Sequence, residues 1–327
     1  MAPLITIVIP IYNVASFLPK CLVSCLNQSY GHLEIIAVND GSTDNSLSIL
    51  TQYSNNDKRI KIINKSNGGL NSARKAGIKA SNGVYVTILD GDDYLEKKGI
   101  ETLVTIANKN RADIVVAGAN IVLAENGKTI DRISHRDLTL ENVDYIKKVI
   151  SDGPNTVCMK LYRKELLINN IEYPNIKAGQ DLPLTIQWGL LAQKVVFTPE
   201  VIYNYVVARQ GSTMSGDRKV YVEEGFKAYC FTFNILIKHR QLSHYSKELT
   251  NGSCAKLYTY LSTKSNRFSK NKSSVKMITN FIWVHQQFLN NRQLKIFILL
   301  LKINLHLAHY FVATMQKIKP TLNPYTK

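Results

Sequence analysis

Apolar residues recur along the first hundred positions in two alternating rhythms. Short, β-branched-rich runs at 4–9, 33–38, 60–64 and 85–89 read as buried strands. Between them, apolar positions fall at 3.6-residue spacing, as in Phe17, Leu18, Cys21, Leu22, Cys25 and Leu26, and predict helices over 15–28, 45–53 and 70–80. The order βαβαβαβ with short connections predicts an α/β fold. Its Rossmann-like, mostly parallel, right-handed doubly wound sheet is flanked by helices. Further on, the pattern predicts a helix over 98–109, a strand over 113–118, a less regular stretch over 121–136 and a helix over 140–151. A strand over 156–162, a short helix over 163–169, a helix opening at Asp181 and two short strands within 194–205 follow.

Past Ser215 the chain becomes aromatic, basic and helical. In 292–319 only a narrow polar stripe of Lys295, Lys302, His306, His309 and Gln316 interrupts the apolar surface, and Pro320 stops the helix. Such a segment packs on the rest of the chain or lies in a membrane interface. At 327 residues and 45% hydrophobic content, the chain supports one large α/β unit plus an appendage.

The net charge of +17 is concentrated in that appendage. From Glu200 onward there are 19 Lys/Arg against 5 acids, and beyond Glu248 there is no acid at all. Five cysteines without metal-ligand spacing indicate a reduced, cytoplasmic compartment. The apolar amino terminus lacks a basic n-region and a small-residue cleavage site, and Pro10 interrupts it too early for a membrane span, so it reads as a first strand.

The chemistry lies where the strands end. Tyr85 to Leu89 runs into Asp90-Gly91-Asp92-Asp93, three carboxylates in four positions. Carboxylates this close raise one another's pKa unless a cation sits among them, and Mg²⁺ or Mn²⁺ prefers oxygen ligands. A solvated acidic turn is the plainer reading of this stretch alone. Three other polar turns change the balance: Tyr12-Asn13, Asp40 to Asp44, and Asn67 to Gly69 each follow an apolar strand. In a doubly wound sheet all four lie on the edge where ligands bind. Asp44 or Ser42, and Asp181 at its own helix start, also suit N-caps.

Two other classes fit less well. A charge of +17 with 17 Tyr suits phosphate contacts and base stacking, yet the acidic cluster opposes such a surface and no nucleic-acid motif is present, so nucleic acid is not an expected partner. A dinucleotide-dependent oxidoreductase needs G-x-G-x-x-G after the first strand, where this chain has Pro10-Ile11-Tyr12-Asn13.

Taken together, Thr6 to Asn13, Val38 to Asp44, Asn67-Gly68-Gly69 with Ala73-Arg74, and Leu89 to Asp93 resemble the family 2 inverting glycosyltransferases of GT-A fold. Met159 to Arg163, Gly179-Gln180-Asp181-Leu182 and Tyr205 to Met214 fit as well, and are similar to bacterial members that build O-antigen, capsule or other surface glycans.

The resemblance implies a GT-A catalytic domain over 1–215, with a nucleotide-sugar half (1–95) and an acceptor half (96–215). A helical basic C-terminal extension over 216–327 would meet an anionic membrane surface. It implies that Pro10, Tyr12 and Asn13 border the nucleotide base, with Gly41, Ser42 and Asn67 beside them. Asp40 would accept the imide N–H of uracil, with Arg74 nearby. Asp90 and Gly91 would meet ribose or donor sugar, Asp92 (Asp90 also possible) would ligate Mn²⁺ or Mg²⁺, and Arg209 would meet the departing phosphates. Asp181 would be the catalytic base.

The expected reaction is non-processive transfer of one hexosyl or N-acetylhexosaminyl group from a UDP-sugar to a glycan acceptor. That acceptor is expected to be polyprenyl-diphosphate-linked, on the cytoplasmic face of the inner membrane. Two positions depart from the family pattern: Gln180 stands where the family has Glu, and Lys75 follows Arg74 where it has Asn. Gln180 leaves a catalytically impaired binding or scaffolding protein as the alternative.

Overall fold

The computed structural model describes residues 2–153, 155–208, 218–262, 272–289, 292–303 and 308. These fall into two compact units. One is drawn from Met1–Tyr145, Thr156–Asn175 and Leu184–Ser215, the other from Ile146–Asn155, Ile176–Pro183 and Gly216–Lys327.

The first unit holds the sheet. Strands β1 (Ile5–Ile11), β2 (Leu33–Asp40), β3 (Ile60–Lys65) and β4 (Tyr85–Ile88) alternate with helices α1 (Leu18–Leu26), α2 (Ser46–Asn56) and α3 (Leu70–Ala80), as the periodicity predicts. Every residue of β1, β2 and β4 is buried, which explains their mostly apolar reading. Their spatial order is β3-β2-β1-β4, all parallel. The chain therefore reverses direction of growth between β1 and β4, the switch point at which an α/β sheet opens a crevice.

Beyond β4 the sheet is mixed. The remaining strands are β5 (Tyr94–Leu95), β6 (Ile114–Leu123), β7 (Thr129–Ile133), β8 (Leu138–Leu140), β9 (Lys160–Arg163) and β10 (Val195–Val207), with α4 (Gly99–Asn110) between β5 and β6. β9 inserts antiparallel between β4 and β6, and β10 runs parallel to β6 and antiparallel to β5. Two findings differ from the sequence pattern. The irregular stretch 121–136 contains the end of β6 and its hairpin partner β7. The two short strands expected within 194–205 are one 13-residue strand, whose pairing with β6 shifts register between Phe197 and Val201, where Pro199 falls.

Three further helices are α5 (Asn142–Asp152), α6 (Glu165–Ile168) and α7 (Asp181–Leu191). The second unit is built mainly from α8 (Arg218–Lys238), α9 (Ser246–Ser262), α10 (Lys272–Val284) and α11 (Arg292–Ile303). Its core is aromatic: Phe226 stacks on Tyr260 at 4.3 Å between centroids, and Phe233 meets Phe281 edge-on at 4.8 Å. All five cysteines are free and buried. No helix among the described residues is long and apolar enough to cross a membrane.

Candidate functional site

The turns after β1, β2 and β3 are bonded to one another, and the turn after β4 is bonded to α3 and β10. After β1, Asn13 sits in the left-handed region (φ 51°), a conformation that Asn tolerates. Its Oδ1 accepts from the N–H of Thr43 at 2.8 Å, and its own N–H donates to Ser42 Oγ at 3.1 Å. Asp44 completes the link by accepting from Ala15 N–H at 2.9 Å and Ser46 N–H at 3.0 Å. Burial pushes the Asp44 carboxyl up, but the hydrogen bonds from Ser46 and Ala15 outweigh it and the net shift is downward.

The β2 and β3 turns are joined as closely. Gly41 has φ +72°, and a Cβ there would lie 2.7 Å from the Asn67 nitrogen, so no other residue fits. Asp40, 2% exposed, receives Gly68 N–H at 3.1 Å, Gly69 N–H at 2.8 Å and the Lys65 ammonium at 2.5 Å. The Gly68 N–H is shared with the second oxygen at 3.2 Å, so each oxygen of this carboxylate carries two donor contacts. Asn39 donates to Asn64 Oδ1 at 2.8 Å beside it.

The acidic turn after β4 divides its three carboxylates. Asp93 turns inward and is 2% exposed; its Oδ2 accepts from Tyr203 Oη at 2.6 Å and its Oδ1 from Val206 N–H at 2.7 Å. Burial, with Asp92 and Asp90 beside it, holds its carboxyl well above the usual carboxylate range. Asp90 and Asp92 remain partly exposed. The buried guanidinium of Arg74 reaches Asp90 with Nη2 at 3.2 Å from Oδ1, and the Asp90 N–H donates to Tyr203 Oη at 3.3 Å. Gly91 lets the turn lie against β1, for a Cβ there would stand 3.1 Å from the Pro10 carbonyl. Tyr12 stands 50% exposed one residue past the end of β1.

The structure thus brings Asn13 to Ser42, Gly41 to Asn67, Arg74 to Asp90 and Gly91 to Pro10 on one edge of the sheet. Sequence reasoning missed Lys65 and Tyr203, and gave Tyr205 no role of its own. Burial, and then Asp93, Asp90 and Asp92, push the Tyr205 phenol up to about 12, which places it in the field of the acidic turn. A lysine at a strand end reads as solvated, and nothing local marks a tyrosine 110 residues away as the partner of Asp93. Among the described residues no group of three or more His, Cys, Asp or Glu is arranged to hold a metal ion. With Asp93 committed inward, Asp90 and Asp92 form a two-carboxylate oxygen donor set. Carboxylate oxygens of this kind are the donors that a hard divalent cation prefers.

In the second unit, Asp181 is the first residue of α7. The lead-in to α7 is tied to α8: Lys177 N–H donates to Glu224 Oε2 at 2.6 Å, and Gly179, with φ +74°, approaches Ala228. Gln180 Nε2 donates to the Ile176 carbonyl at 2.5 Å, a bond that a glutamate at this position could not make. Arg209 lies outside the described residues.

Comparison with known proteins follows the same outline. Residues 6–170, half of the chain, match the family described as glycosyl transferase family 2. The uncharacterized glycosyltransferase EpsJ of Bacillus subtilis (strain 168) is 34% identical over 224 residues, 63% of this chain and 61% of that protein. Glycosyltransferase GlyA of Streptococcus pneumoniae serotype 4 is 34% identical over 221 residues, 64% of this chain and 31% of that protein. The chain therefore spans less than two thirds of the length of either relative. Among solved structures, residues 1–349 of S. aureus TarS in complex with UDP-GlcNAc share the fold, with a TM-score of 0.75 at 19% identity, covering 96% of this chain and 92% of that one.

Proposed function

The chain belongs to glycosyl transferase family 2, and from that premise we propose that it is an inverting, metal-dependent, non-processive glycosyltransferase. It moves one hexosyl or N-acetylhexosaminyl group from a UDP-sugar to a hydroxyl of a glycan acceptor. The observation that carries this reading is the acidic turn at the switch point, where Asp90 and Asp92 stay at the surface while Asp93 is withdrawn.

In this reading Tyr12 covers one face of the base, and Pro10 and Asn13 line its edge. Asp40 takes the uracil imide N–H, whose donor character suits a carboxylate. Gly41, Ser42 and Asn67 hold the turns around it in place. Asp90, oriented by Arg74, binds ribose or donor sugar beside Gly91. Asp92, with Asp90, would hold Mn²⁺ or Mg²⁺, which when bound supplies charge neutralisation to the diphosphate. Arg209 is assigned to the departing phosphates, for which a guanidinium fork is suited.

An acceptor hydroxyl attacks C1 from the face opposite the diphosphate. The C1–O bond to the acceptor forms as the C1–O bond to phosphate breaks, and Asp181 takes the hydroxyl proton. The complex of the TarS fragment with UDP-GlcNAc supports UDP as the nucleotide. The acid-free, basic carboxy-terminal region supports an acceptor linked to a polyprenyl diphosphate at the cytoplasmic face of a membrane.

Calorimetry tests the donor half. UDP is expected to bind in a Mn²⁺-dependent manner, and preferential binding of GDP or dTDP would replace uracil in this reading. Asp181→Asn is expected to retain UDP affinity and lose transfer, and normal turnover in that variant would remove Asp181 as base.

A further inference from the structure

Helix α11 is apolar on two faces, and only one of them is covered. At about 100° per residue, Phe297, Ile298 and Leu301 share one arc of the helix and are buried. Ile296, Leu299 and Ile303, spaced i, i+3 and i+7, form a stripe on another arc and are 40%, 45% and 65% exposed. Lys295 and Lys302, also seven apart, run along one flank of that stripe and are exposed. Lys302 reaches across to α10, with Nζ 3.3 Å from Asn280 Oδ1 and 5.5 Å from the Trp283 ring centroid. Beside Trp283, at the end of α10, Val284 is 67% exposed. The buried arc is enough to seat α11 in its bundle. Three aliphatic side chains in line on the other arc, flanked by cations, mark a surface that meets something else.

We propose that this face of the α10–α11 pair docks on an anionic lipid bilayer. Ile296, Leu299 and Ile303 enter the boundary between headgroups and acyl chains, while Lys295 and Lys302 lie among the headgroups. The proposal rests on the membrane-linked acceptor of the proposed function and assigns the residues that make the contact.

Charge selects the occupant. Beyond Glu248 the chain carries 12 Lys/Arg and no acid, so a second copy of this face would oppose cation to cation. A nucleic acid would use the lysines but gain nothing from aliphatic side chains, because bases stack on aromatic ones. An anionic bilayer uses both, attracting the lysines over a Debye length and burying the aliphatic stripe.

The test uses the full chain and sedimentation with vesicles of phosphatidylcholine, alone or with phosphatidylglycerol. Wild-type protein is expected to sediment only with the anionic vesicles. Leu299→Asp with Ile303→Asp, and separately Lys295→Glu with Lys302→Glu, are each expected to lower the bound fraction about tenfold. A Leu299→Trp variant is expected to shift its emission to the blue on anionic vesicles, a readout that does not depend on the charged variants folding. Undiminished sedimentation of both double variants, or no emission shift, overturns the proposal. A change of molecular mass in the aspartate variant, measured by sedimentation velocity, would make the face an interface between copies and overturn the lipid occupant. UDP calorimetry on the same samples separates the two readings. Vesicle binding lost with UDP binding intact bears on this surface alone, whereas UDP binding absent with vesicle binding intact bears on the transfer reaction alone.

Discussion

The two ends of the parallel strands treat buried acid in opposite ways. At the amino-terminal end, Glu34 near the start of β2 is 4% exposed and surrounded by donors: Lys61 Nζ at 2.7 Å, Asn82 N–H and Nδ2 at 2.8 Å, and Thr6 Oγ1 at 2.7 Å. Burial works against its charge, yet the donors outweigh it and hold the carboxyl down at about 2. At the carboxy-terminal end, Asp93 is as deeply buried but faces Asp92 and Asp90, and its carboxyl is held up instead. A saturated carboxylate ties strands together, and a crowded one is held towards its neutral form by its neighbours. Burial alone therefore does not separate a structural acid from one at a binding edge; the sign of what surrounds it does.

The largest expected effect comes from breaking the crowded end. Asp92→Asn is expected to abolish the Mn²⁺ dependence of UDP binding and reduce transfer about 100-fold or more, with a melting temperature no lower than wild type because a repulsive charge is gone. Binding and thermal denaturation on the same protein check both parts.

Breaking the saturated end should do the reverse. Glu34→Gln is expected to cost about 2–3 kcal/mol, roughly 5–10 °C in melting temperature, while UDP affinity is retained. Because Glu34 is a stronger acid in the folded chain than in the unfolded one, its contribution is complete above its ordinary value of 4.5. It is lost as the pH falls towards about 2. Urea midpoints measured across that window should fall less steeply for Glu34→Gln than for wild type.

A smaller effect is expected from Tyr203→Phe, which removes the donor to Asp93 and the acceptor of the Asp90 N–H. It should cost about 1–2 kcal/mol and weaken UDP binding through displacement of Asp90. The smallest is Asp44→Ala, which loosens the link between the β1 and β2 turns at a cost of about 1 kcal/mol, readable as a shift in the denaturant midpoint.

The parallel half was legible because its signals are local. The residues of α3, Leu70–Ala80, follow directly from Gly68-Gly69 and the spacing of apolar positions, and β1 to β4 announce themselves as β-branched runs. The strand-end polar turns were legible for the same reason. The antiparallel half was not. Residues 194–205 read as two short strands, yet β10 is continuous because β6 pairs with it on both sides of a register shift. Asp93 was ambiguous because its partners, Tyr203 and Val206, lie more than a hundred residues on. Glu34 gave no signal because its donors come from three other segments.

That separation between Asp93 and β10 has a consequence for assembly. The contact closes a loop of more than a hundred residues, and such long-range pairings are the slow part of folding. During synthesis, β1 to β4 can emerge and pair while the acidic turn still lacks Tyr203 and the Val206 N–H. The turn acquires its inward and outward carboxylates only when β10 docks. If the chain binds UDP as proposed, uptake of UDP would report completion of this unit, and a nascent chain halted before β10 would carry every strand-end turn and still be unfinished where it matters.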